Sequence, residues 1–159
     1  MKRYFENGPF SFFSYGGTAD RYFTTESRPD YFRDIPNVAL QKSLVFFDPD
    51  NGLEPAGKAT TAHLRYEELD HVFDRMDDRS VAVIYQHLPR IEGSRFWPSI
   101  ASALRQRLDR PAAYIAESDL AFFVVPRHKG RMKSVLSILD KQARVVAPGK
   151  PPRRVSRSD

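Results

Sequence analysis

The sequence predicts an α/β fold, a three-layer sandwich around a short, mostly parallel sheet with an antiparallel hairpin at one edge. Two continuous apolar runs, Ser43-Leu44-Val45-Phe46-Phe47-Asp48 and Ser80-Val81-Ala82-Val83-Ile84-Tyr85-Gln86, each precede a stretch of helical spacing. Two further β-rich runs, Ala112 to Ala116 and Leu120 to Val125, are separated only by Glu117-Ser118-Asp119. A parallel crossover needs about a dozen residues, so that pair must be antiparallel.

The run from Ser43 to Asp48 ends in Pro49 and Asn51-Gly52, the pattern of a central strand buried on both faces. Thr60 or Thr61 is placed to cap a helix that carries Leu69, Val72, Phe73 and Met76 on one side and Glu67, Glu68, Asp70 and Asp74 elsewhere. After the second strand, Pro98 fits the first turn of a helix whose stripe is Phe96, Ile100, Leu104 and Leu108. Met132, Val135, Leu136, Leu139 and Ala143 mark the last helix. With right-handed crossovers, the order β-α-β-α-β-β-α builds the sandwich.

Three segments follow from composition. Residues 1–38 form an aromatic-rich arm, with Phe10, Phe12, Phe13, Tyr22, Tyr31 and Phe32 among its rings and no sustained period beyond a short helix near Tyr31. Its rings suit packing on an apolar surface, or the stacking of bases. Residues 39–146 form the α/β domain, and 147–159 a basic, disordered tail rich in Pro and Arg. Of the formal net charge of +5, Lys150, Arg153, Arg154 and Arg157 against Asp159 supply +3, so the basic character belongs largely to the tail. That tail could contact nucleic acid phosphates, although a solvated tail is the commoner explanation, and the oligomeric state is left open.

Cysteine is absent, which removes disulfides, thiolate metal sites and thiol nucleophiles. No apolar run approaches the roughly 18 residues of a membrane span, and residues 1–9 show no apolar region of a secretory signal. The expectation is a soluble, cytoplasmic protein with no membrane partner.

In open α/β sheets ligands bind at the carboxyl ends of the strands. Strands ending at Asp48 and Gln86 therefore bring the loops Asp48-Pro49-Asp50-Asn51-Gly52-Leu53-Glu54 and Gln86-His87-Leu88-Pro89-Arg90 to one rim, with Glu117 and Asp119 near the same edge. Asp48, Asp50, His87 and Arg90 are the candidate catalytic residues. Asp48, Asp50 and Glu54 are oxygen donors suited to Mg²⁺, which would neutralise phosphate and activate water. The same loop also reads as a turn, with Asp48 before Pro and Asn51-Gly52 supplying a positive-φ turn, and Arg90 pairing with a carboxylate would explain both loops without catalysis. Gly52 stands one position too early for an EF-hand. His63, His71 and His128 have no convergent carboxylate in the sequence and receive no role. Neither a Walker loop, nor a dinucleotide glycine loop, nor a Ser-His-Asp ordering is present, and Gly16-Gly17 alone is weak.

Val45-Phe46-Phe47-Asp48-Pro49-Asp50, with the helices, polar-ended strand and hairpin that follow, resembles the carboxyl-terminal half of class I (Rossmann-like) methyltransferases. The amino-methylating members with an Asp-Pro-Pro-Tyr loop are the nearest in pattern. It is also similar to uncharacterised bacterial proteins carrying Asp-Pro-Asp-Asn-Gly-Leu-Glu and a later Tyr-Gln/His-His strand end. The likeness spans about residues 43 to 143. It implies a methyltransferase-like domain acting on nucleic acid, with Asp48 meeting the target amino group and S-adenosylmethionine as methyl donor. Asp50 and Asn51 replace the second Pro and the aromatic, so base stacking would fall to Tyr85 or an amino-terminal ring. No glycine-rich cofactor loop follows an upstream strand. A Mg²⁺-dependent phosphodiester hydrolase using Asp48, Asp50 and Glu54, and a non-catalytic binding or assembly module, are the alternatives, and the cofactor is left open between them.

Overall fold

The structure, a computed structural model, describes Phe13 and residues 24–87, 96–116, 119–146 and 155–157. Most of the aromatic arm, Arg90, Glu117 and most of the tail lie outside the described residues.

The chain is α/β. A helix α1 (Arg28–Arg33) precedes strand β1 (Leu44–Phe47), helix α2 (Tyr66–Arg75), strand β2 (Val81–His87) and helix α3 (Phe96–Leu108). The hairpin β3 (Ala113–Ala116) and β4 (Leu120–Pro126) follows, then α4 (Met132–Val146) and β5 (Val155–Arg157). The strands form one sheet in the order β1-β2-β4-β3-β5.

That order corrects the expected sheet. Only β1 and β2 pair in parallel, and β2–β4, β4–β3 and β3–β5 are all antiparallel. The hairpin exists, but its second strand lies inside the sheet, between β2 and β3, where an edge position was expected. Length and burial give the reason. β4 pairs along seven residues with β2, and its Ala121, Phe123 and Val125 are fully buried, whereas β3 offers four residues to β4. The longer apolar strand gains most from neighbours on both sides, and the β2–α3–β3 crossover spans it.

A second correction concerns β1, which was expected to be central and is an edge strand. Its residues alternate, with Leu44 67% and Phe46 48% exposed while Val45 and Phe47 pack on the core. A third is Val155–Arg157, which falls in the expected disordered tail and pairs antiparallel with β3.

One face of the sheet carries the main core. Ala82 and Ile84 of β2, Phe123 and Val125 of β4, and Tyr114 of β3 meet Leu69, Val72 and Phe73 of α2 and Trp97, Ala101, Leu104 and Leu108 of α3. The cluster holds 21 buried residues among those described, and each of its larger apolar side chains contributes about 1.5–3 kcal/mol, which sets this face as the stabilising one. The stripe of α3 is rotated slightly from expectation: Trp97 and Ala101 are buried, and Phe96 and Ile100 half-buried beside them. On the opposite face α4 packs on β3 and β4, where Ala113, Val124 and Met132 are buried outside the main cluster. This third layer stops short of β1, leaving Leu44 and Phe46 open.

The expected cap at Thr60 or Thr61 is also displaced. Thr60 instead turns onto His63, whose Nδ1 accepts from its backbone N–H at 3.0 Å, and α2 starts at Tyr66. Two carboxylates satisfy the first turn: Glu68 Oε2 accepts from Arg65 N at 2.8 Å and Glu54 Oε1 from Tyr66 N at 2.9 Å. Negative charge at a helix amino terminus is favourable to both the free N–H groups and the dipole.

Candidate functional site

The loop after β1 is built around Gly52. Its φ of +74° suits a residue without Cβ, and its N–H donates to Pro49 O at 3.2 Å to close a tight turn. Leu53 bridges in parallel to Leu64, with Leu64 N donating to Gly52 O and Glu54 N to Leu64 O, both at 2.9 Å. Gln86 of β2 completes the arrangement. Its buried amide accepts from Leu53 N at 2.7 Å and donates to His87 O at 2.9 Å. Sequence reasoning placed Gln86 at the strand end and overlooked this task, which requires knowing that the loop folds back over β2.

The register brings the expected segments to one rim. Phe47 is level with Ile84 in parallel, so Asp48 follows at the level of Tyr85, and His87 pairs with Leu120, so Asp119 adjoins the same end. Asp48, Asp50 and His87 are all exposed there. Among the described residues no hydrogen bond or ion pair joins either aspartate to His87. Arg90 lies outside the described residues. His87 instead stands against Tyr85, with Nδ1 3.4 Å from the phenol oxygen and the rings edge to face at 4.6 Å.

Glu54 does not join Asp48 and Asp50 as a metal ligand set. It caps α2, and among the described residues no group of three or more His, Asp or Glu side chains is arranged to hold a metal ion. For S-adenosylmethionine, the described glycines supply no cradle. The space over Gly52 is filled by Gln86, Gly57 faces open space, and Gly130 packs on the His128 ring.

Next to the rim, on the sheet face away from the main core, the structure assembles a feature the sequence did not announce. Phe46 of β1, Tyr85 of β2 and Phe122 of β4 lie side by side across three adjacent strands. Ring centroids are 6.4 Å apart for Phe46 and Phe122 and 5.4 Å for Tyr85 and Phe122. Phe46 is 48% exposed, and Tyr85 and Phe122 are half-buried. The strand period of two could have revealed that these rings share a face, but only the strand order makes them neighbours. The rim at one end of this face carries Asp48, Asp50 and Asp119. The other end, where β1 and β2 begin and β4 ends, carries Lys42, Arg79, Arg127 and Arg131 against Asp77 and Asp78.

Beneath the loop, Arg28 is buried and ion-paired with Glu68, and it also donates to the carbonyls of Thr61 and His63. Tyr66 is buried too, under the Arg107 guanidinium at 5.0 Å from the ring centroid. Burial pushes its phenol above the ordinary value, Arg107 opposes that, and Glu54 adds to it.

No protein-family model matches the chain, and neither curated proteins nor solved structures give a match. Among the described residues no helix is long and apolar enough to cross a membrane.

Proposed function

We propose that the chain is a binding module that takes single-stranded nucleic acid on its open sheet face. The observation that carries this reading is the row Phe46–Phe122–Tyr85, aromatic rings left exposed or half-exposed on adjacent strands of a sheet whose other face is fully packed. Unstacked bases gain about 1–3 kcal/mol each from such rings, and sheet faces with exposed aromatics are a recurrent platform for single strands. The face is also polarised. Phosphates would lie toward Lys42, Arg79, Arg127 and Arg131 and away from the aspartates of the rim. The net charge of +5 agrees in sign.

The test is fluorescence anisotropy with labelled single-stranded DNA and RNA at low and moderate salt, with a duplex as comparison. Single strands are expected to bind more tightly than duplex. Phe46→Ala and Tyr85→Ala are each expected to weaken binding by roughly 5- to 150-fold, the equivalent of one lost stack. Absence of binding, or ring variants that bind as wild type does, overturns the reading.

A second reading rests on the exposed cluster of Asp48, Asp50 and His87 at the rim. It is catalysis on nucleic acid, methyltransferase-like or metal-dependent. Methyl transfer from S-adenosylmethionine to oligonucleotides, and their cleavage with Mg²⁺ or Mn²⁺, would each be abolished by Asp48→Asn if this reading holds. Wild-type protein inactive in both assays sinks it.

A further inference from the structure

The edge of the sheet at β1 carries an inference that does not rest on the ligand of the open face. Ser43 O accepts from Val81 N at 2.9 Å. In a parallel ladder the backbone groups of alternate residues turn to the same side, so Val45 and Phe47 face β2. The N–H and C=O groups of Leu44 and Phe46 therefore point outward, away from the sheet, and among the described residues β1 pairs with no strand besides β2. Edges of this kind are ordinarily blunted by a charge, a proline or a bulge within the strand. Leu44-Val45-Phe46-Phe47 has none of these, and its two outward residues are also the two exposed apolar side chains, at 67% and 48%.

We infer that β1 pairs antiparallel with β1 of a second copy, about a two-fold axis at Val45. This is the register that uses both outward residues. Leu44 of each copy stands opposite Phe46 of the other as a hydrogen-bonded pair, and repeating that pair by symmetry engages all four outward N–H and C=O groups of each strand. Lys42 turns out of the strand at a φ of +50°, and the same antiparallel order brings that end of one copy beside the Asp48 end of the other, twice. Both residues are exposed, and among the described residues neither has an ion-pair partner. The strand thus has a cation before it and a carboxylate after it, a charge order that attracts when two copies run antiparallel and repels when they run parallel. Such an interface is isologous and closes on itself. It joins the two sheets into one, with the Leu44 and Phe46 side chains of the two copies side by side on one continuous open face.

Sedimentation equilibrium of the full chain is expected to show a reversible monomer–dimer equilibrium. Lys42→Glu and Asp48→Lys should each raise the dimer dissociation constant by about fivefold or more, since each breaks two symmetry-related pairs. The combined K42E/D48K variant should return it toward wild type. A second measurement uses the absence of cysteine. At the two-fold axis the Val45 Cα atoms would be about 4.5 Å apart, within disulfide reach. Val45→Cys should form a disulfide dimer under mild oxidation faster than Val38→Cys, whose site is 80% exposed and lies outside the strand, in the short helical turn before it. A chain that stays monomeric at all concentrations overturns the inference. So do charge reversals without effect on the equilibrium, or V45C oxidising no faster than V38C. Circular dichroism melts of each variant separate loss of pairing from loss of folding.

Discussion

The side-chain amide of Gln86 occupies the volume that a Cβ on Gly52 would need, and the same amide accepts the Leu53 N–H at 2.7 Å. Glycine is therefore required at residue 52 twice, by a φ of +74° and by this close approach. Gly52→Ala is expected to destabilise the protein by about 2–4 kcal/mol, combining left-handed strain with displacement of a buried hydrogen-bonding group. Gln86→Leu, which keeps the volume and strands two backbone groups, should cost a similar amount. Urea denaturation measures both, and a Gly52→Ala variant as stable as wild type would show that the loop does not depend on this contact.

Arg28 and Glu68, 40 residues apart in sequence, form a buried ion pair that also ties the carbonyls of Thr61 and His63 to α2. Removing one partner strands the other, so Arg28→Met is expected to cost about 3–5 kcal/mol. The double variant Arg28→Met with Glu68→Leu should be more stable than Arg28→Met alone. A double-mutant cycle with no coupling would remove the pair as the strut of this corner.

At the opposite end of the sheet, Asp77 accepts from Ser80 Oγ at 2.6 Å and from Lys42 N at 2.9 Å. Those bonds, the Ser80 hydroxyl foremost, hold its carboxyl below the ordinary aspartate value of 3.8. A depressed folded value stabilises above the unfolded one and is lost as pH falls through the folded value. Asp77→Asn is thus expected to lower Tm at neutral pH, with the difference from wild type vanishing as pH drops below 3.8. Ser80→Ala, at a fully buried hydroxyl that also accepts from Ser43 N at 3.0 Å, should cost about 1–3 kcal/mol. A Tm gap for Asp77→Asn that persists unchanged into strong acid would contradict this account.

Tyr66 supplies a test at high pH. Its phenol is pushed above the ordinary value of 10.0 by burial, so the folded state holds the proton more tightly than the unfolded chain does. The associated stability is full below pH 10 and declines as pH rises from there through the folded value. Arg107→Gln removes the opposing cation and should raise the pKa of Tyr66 further. Ultraviolet titration of the variant, corrected with Tyr66→Phe, reads the change, and a downward shift would refute the stated balance.

The helices were legible because amphipathic spacing is local. Leu69, Val72 and Phe73 were marked as one buried side of α2 and are so, and Leu104 and Leu108 likewise for α3. The helix start was less legible. Its caps come from Glu54, twelve residues before Tyr66, and from Glu68 within the helix, so the threonines that suit a cap in isolation were not used. The rim of the candidate site was readable as a meeting of two strand ends, whereas the partners of its residues were not. Glu54 looked like a metal ligand and caps a helix, and Gln86 looked like a strand terminus and fills a loop.

By itself, the sequence determined the α/β character, the apolar strands, the hairpin between Ala113 and Pro126 and the helical faces, since each depends on residues within a few positions of one another. Tertiary structure alone decided that β4 enters between β2 and β3, that β1 lies at the edge, and that Phe46, Tyr85 and Phe122 form one row. Strand pairing is a competition among distant segments for neighbours. The seven-residue β4, with three fully buried side chains on its core face, wins the central place over shorter strands whose local composition is equally apolar.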